Sequence, residues 1–129
     1  MASILIVEDD PLLCETLRQT LNHAGHAVAV AEDGRAALRA FDAVRPDLVL
    51  LDIIMPEMDG LETIRAVRQS VPDIPVIAMS GGGQIGNLDL LQVAAKFGAN
   101  MALRKPFSGR QMLEAIGKAL EAEPPGTPA

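Results

Sequence analysis

Along the chain, five short apolar runs alternate with stretches in which apolar residues recur every three or four positions. The runs are Ser3–Val7, Ala27–Ala31 and residues 48–51, 76–79 and 101–103. They are continuous rather than alternating, the pattern of strands covered on both faces, and so predict a parallel sheet with helices on either side. The intervening spacing predicts five helices. The first opens at Asp10-Pro11, a capping acid followed by proline at the first helical position, carries Leu13, Leu17 and Leu21 on one stripe, and stops near Gly25. The second runs from about Asp33 through Ala37, Leu38 and Phe41 to Pro46. The third starts near Asp59-Gly60, turns Leu61, Ile64 and Val67 inward and Arg65 and Arg68 outward, and ends at Ser70-Val71-Pro72. Glycines between Ser80 and Gly86 delay the fourth to about Asn87, from where Leu88, Leu91 and Ala95 form a stripe ending at Phe97-Gly98. The fifth runs from a Ser108 cap to Leu120, with Met112, Ile116 and Leu120 inward. Five βα units joined by right-handed crossovers make a doubly wound sheet.

Composition sets the frame for that pattern. A chain of 129 residues with 49% hydrophobic side chains fills one core. Residues 1–121 are read as one domain. Residues 122–129, rich in proline and small residues without apolar periodicity, are read as a flexible tail. A net charge of −6 argues against nucleic acid and anionic lipid as partners. The N-terminus has no basic region or cleavage signature, and no apolar run reaches membrane-spanning length, which gives a cytoplasmic expectation. Cys14 is the sole cysteine, which excludes an internal disulfide and a zinc cluster; beside Leu13 and Leu17 it reads as a core residue. His23 and His26 flank Gly25 at a helix end, where imidazole suits the dipole.

Candidate chemistry gathers at the strand ends. Glu8 and Asp9 follow the first strand, Asp52 the third, Ser80 the fourth and Lys105 the fifth. In a parallel sheet these groups share one cleft, where doubly wound folds bind ligands. Three neighbouring carboxylates repel one another unless a cation sits among them. Oxygen ligands without histidine favour a hard ion, magnesium first. An ammonium and a hydroxyl facing a carboxylate and a metal suit a phosphoryl group, with Asp52 as nucleophile.

These stretches resemble the receiver domain of bacterial two-component response regulators. The likeness rests on four motifs in order: Ile4-Leu5-Ile6-Val7-Glu8-Asp9-Asp10, Leu50-Leu51-Asp52-Ile53-Ile54-Met55-Pro56-Glu57-Met58-Asp59-Gly60, Pro75-Val76-Ile77-Ala78-Met79-Ser80, and Lys105-Pro106-Phe107. It covers roughly residues 3–121. The resemblance implies a flavodoxin-like (βα)5 fold with a five-stranded parallel sheet in the order 2-1-3-4-5. It implies phosphorylation of Asp52, with magnesium held by the Asp9 and Asp52 side chains and the Ile54 carbonyl. Glu8 would act through metal-bound water, Ser80 and Lys105 would touch the phosphoryl oxygens, and the Lys105-Pro106 peptide would be cis. Asp10 is then a helix cap, and Met55-Pro56 and Asp59-Gly60 shape the loop that presents Asp52.

The implied partners are a sensor histidine kinase or phosphotransfer protein and a downstream target protein, with the chain a monomer or weak dimer. The implied role is that of a signalling switch rather than an enzyme, standing alone without an appended DNA-binding domain. Two departures stand out. Ala102 occupies the place where the family often has the Tyr or Phe that changes rotamer on activation, and Gly81-Gly82-Gly83 predicts a mobile fourth-strand loop that carries the output. Two rivals remain: a receiver-like docking module that is never phosphorylated, and a small phosphatase with an Asp nucleophile. The second usually has an acid two positions after the nucleophile, where Ile54 stands.

Overall fold

In the computed structural model, residues 2–53, 60–70, 73–80, 84–85, 88–89, 92, 95–96 and 98–121 are described. The strands β1 (Ser3–Val7), β2 (Ala27–Ala31), β3 (Leu48–Asp52) and β4 (Val76–Ser80) form where the apolar runs stand. Two residue pairs, Gln84–Ile85 (β5) and Leu88–Asp89 (β6), make a separate antiparallel ladder, and β7 (Met101–Arg104) completes the main sheet. All its pairings are parallel and its order is β2-β1-β3-β4-β7, which in sheet strands alone is 2-1-3-4-5.

The period of two along each central strand divides the interior. Leu5, Val7, Val49 and Leu51 point into one core with Phe41 of α2 (Gly34–Val44) and Ile64 and Val67 of α3 (Gly60–Ser70). Ile4, Ile6, Leu48 and Leu50 point into the other with Leu17 and Leu21 of α1 (Pro11–His23) and Met112 and Ile116 of α4 (Gly109–Glu121). Helices therefore cover both faces. Asp10 caps α1 by accepting from Leu12 N at 3.0 Å and Leu13 N at 3.4 Å, and Asp33 caps α2 through Ala36 N at 2.8 Å. Ser108 and Gln111 form a reciprocal cap on α4: Ser108 Oγ accepts from Gln111 N at 3.0 Å, and Gln111 Oε1 accepts from Ser108 N at 2.8 Å.

Four details depart from the sequence expectation. Leu88 was expected in a helical stripe but pairs with Ile85. Gln92, Ala95 and Lys96 are helical. The inward stripe of α4 ends on Ala119 rather than Leu120, which is 37% exposed, because continuing from Met112, Ala115 and Ile116 the buried face reaches Ala119 first. The edge strand β7 alternates between half-buried and exposed, unlike β3 and β4, which are buried throughout. Arg68 is half-buried and turned into a carbonyl cluster, not onto an outer polar face. The expectations for Ile54, Met55-Pro56, Asp59, the triple glycine, Phe97 and the tail 122–129 lie outside the described residues.

Candidate functional site

Because β1, β3, β4 and β7 run parallel, their carboxyl ends open on one edge. Glu8 follows β1 directly and is fixed by its backbone N donating to Ala31 O at 3.0 Å. Asp52 is the last residue of β3 and Ser80 the last of β4, one position beyond the apolar runs. Lys105 follows β7, and its N donates to Ser80 O at 2.6 Å. The Lys105-Pro106 peptide is cis, as the resemblance implied.

These placements bring together side chains far apart in sequence. Lys105 Nζ lies 3.0 Å from Glu8 Oε1 and 3.3 Å from Asp52 Oδ2, so one ammonium bridges the ends of β1 and β3. Glu8 is 2% exposed and Asp52 7%, while Asp9 is exposed. Glu8, Asp9 and Asp52 can each bring a carboxylate oxygen within 4.8 Å of the others. Asp10, as its register implied, is committed to capping α1.

The electrostatics follow from burial. Desolvation, then a hydrogen bond with Asp52 and its charge, pushes the Glu8 carboxyl up to about 8 against the opposing pull of Lys105. Burial draws Lys105 down, but its hydrogen bonds and charge interactions with Glu8 and Asp52 outweigh that and leave it raised. Two buried oxygens have no hydrogen-bond partner among the described residues, Glu8 Oε2 and Ser80 Oγ. A buried carboxylate oxygen without a partner is costly and fits a cation or its water shell. With three converging carboxylates and, among the described residues, no nitrogen or sulfur ligand in the group, the residues present suit a hard divalent ion.

The pattern in the sequence anticipated this cluster but not all of its contacts. The resemblance gives Glu8 a role through metal-bound water; the contact seen here is a direct pair with Lys105. Cys14 is buried as expected, and its Sγ donates to Glu8 O at 3.2 Å, tying α1 to the end of β1. Burial first, then the surrounding acids, pushes that thiol up to about 11. Beside Lys105, a groove of about 490 Å3 between α1 and α4 is lined by Leu13, Leu17, Phe107 and Met112 among others.

A doubly wound sheet with acids after β1, where a nucleotide-binding member would carry a glycine-rich turn, defines a class of α/β domain with an acidic carboxyl-edge cleft. The response regulator receiver domain matches residues 4–117, and the chain belongs to that family. The chemotaxis protein CheY of Listeria monocytogenes is 38% identical over 120 residues, a match covering 92% of this chain and 98% of that protein. The response regulator MprA of Mycolicibacterium vanbaalenii is 36% identical over 123 residues, covering 95% of this chain and 52% of MprA. The chain thus spans about half the length of that relative. It spans 25% of the transcriptional regulatory protein DctD of Pseudomonas aeruginosa, with 38% identity over 118 residues. Among solved structures, chemotaxis protein CheY4 of Vibrio cholerae superposes with a TM-score of 0.84 at 30% identity, over 92% of this chain and 98% of that one.

Proposed function

We propose that the chain is a phosphorylation switch in which Asp52 accepts a phosphoryl group from a phosphohistidine on a sensor kinase or phosphotransfer protein. The observation that carries this reading is the Lys105 ammonium placed 3.3 Å from Asp52 Oδ2 inside a cluster of acids. A carboxylate oxygen of Asp52 attacks phosphorus in line, the P–N bond breaks, and the imidazole leaves with the electron pair. An acyl phosphate results, and water later hydrolyses it to aspartate and inorganic phosphate. Lys105 exchanges its carboxylate contacts for the phosphoryl oxygens, and the unpartnered Ser80 Oγ donates to another. Asp9, Asp52 and the Ile54 carbonyl would hold magnesium, with Glu8 acting through its water. When bound, the ion neutralises charge that develops on the transferring group. The domain assists its own modification and is better described as a switch than as an enzyme.

The output is a changed affinity for a target protein. Ala102 is exposed on β7 opposite Ala78 and carries no ring, so the relay runs through Ser80 and the end of β7 rather than an aromatic rotamer. Among the described residues, no helix is long and apolar enough to cross a membrane.

The test is incubation with acetyl phosphate and magnesium, followed by intact-mass measurement. One phosphoryl adduct should form on the native chain and none on Asp52→Asn. An equal yield on Asp52→Asn would overturn the assignment, and no adduct on either protein would favour the docking-module reading.

A further inference from the structure

The end of the sheet remote from the acidic cleft holds a polar cluster that the proposed chemistry does not use. Arg68, half-buried on α3, donates from Nε to Gly98 O at 2.9 Å, from Nη1 to Ile74 O, and from Nη2 to Asn100 Oδ1. That same Oδ1 accepts from Val76 N at 2.8 Å, while Asn100 N donates to Val76 O at 2.8 Å. Asn100 thus grips the first residue of β4 with side chain and backbone together, and the guanidinium holds the grip. Gly98 has φ 119°, and a Cβ there would stand 2.9 Å from Arg68 Cγ, so the close approach leaves no space for a larger residue.

This cluster lies where register is otherwise weakly set. β7 is an edge strand of four residues whose burial alternates between partial and exposed, so apolar packing alone does little to fix its alignment. Its ladder runs from Ile77 opposite Met101 to Ser80 opposite Arg104, and the next residue is Lys105. A slip of one position would move the chain by ~3.3 Å and turn Arg104 or Pro106 to the place of Lys105.

We propose that Arg68 and Asn100 are positioning residues for Lys105: by fixing β7 on β4 at the far end, they place Nζ between Glu8 and Asp52. The inference rests on the reading that Lys105 serves phosphoryl transfer to Asp52. The experiment is a double-mutant cycle on initial rates of phosphorylation by acetyl phosphate with magnesium, read by intact mass. It compares the native chain, Arg68→Met, Lys105→Ala and the double variant. Arg68→Met should slow the native chain ~10-fold or more, as a misplacement of about 1 Å can. It should add nothing in the Lys105→Ala background. Equal slowing in both backgrounds would mark general damage and overturn the positioning role. An unchanged rate in Lys105→Ala alone would instead overturn the underlying site reading, and this inference with it. Should Arg68→Met fail to fold, Asn100→Ala takes its place in the cycle. Asn100→Asp, which keeps the acceptor for Val76 and Arg68, should then restore the native rate; a rate as low as that of Asn100→Ala would overturn the proposal.

Discussion

Glu8 is where burial and chemistry meet most directly. Its carboxyl is pushed from 4.5 up to about 8 by desolvation and by Asp52, so between those values the folded chain binds more protons than the unfolded one. The associated stability is present at acidic pH and is lost as pH rises through about 8. With a chelator present, thermal unfolding should therefore shift downward between about pH 5 and pH 8.5, and Glu8→Gln should flatten that slope. Cys14 gives a second residue-scale expectation. Buried and pushed up to about 11, the thiol should resist an aromatic disulfide reagent near pH 8 in the native chain and react at once in denaturant. Rapid native labelling would contradict its placement. The strand-end residues were legible because a charged side chain closing an apolar run is conspicuous. Arg68 was not, because a helix pattern sorts arginine to the polar face and says nothing about carbonyls brought to it from Ile74, just past the end of its helix, and from Gly98, 30 residues away.

At the scale of elements, caps and close approaches carry measurable energy. Ser108→Ala removes half of the reciprocal cap on α4 and should cost about 1 kcal/mol in urea unfolding, with an unchanged slope against denaturant. Asp10→Ala on α1 should cost a similar amount. Of the two, only the Asp10 change alters charge next to the acidic cleft. Sheet strands were legible almost to the residue, since buried parallel strands read as continuous apolar runs and little else in a short window does. Asp52 and Ser80 were outside those runs because a polar strand-end residue is indistinguishable by pattern from the first loop residue. The stretch after Ser80 misleads for a related reason: a Leu at helical spacing is also a Leu in a two-residue ladder, and the glycines up to Gly86 read only as a delay in the start of a helix. Leu120, four positions after Ile116, falls beside the inward face that Met112, Ala115, Ile116 and Ala119 form, a drift that a strict spacing of four hides in a helix of 3.6 residues per turn.

Over the whole molecule, a divalent ion bound only by the folded chain stabilises it by mass action. Magnesium at ~100 times its dissociation constant should add about 2.7 kcal/mol, seen as a raised unfolding temperature. Asp9→Ala, an exposed change that removes one of the converging carboxylates, should abolish most of that gain, and an undiminished rise would contradict the ion assignment. The order of strands itself could not be read from periodicity, because any order of five βα units buries the same runs; it came from the resemblance and is now seen in the pairings. The same order leaves β7 at the margin of the sheet, four residues long and closed by the exposed Arg104. Its brevity and charge have a consequence for the protein in concentrated solution. A sheet margin invites sheet growth from one molecule to the next, and a short strand closed by a cation discourages it. By that rule the shortness of β7 and its closing arginine both work against such growth, at a place adjoining the lysine that the proposed chemistry requires.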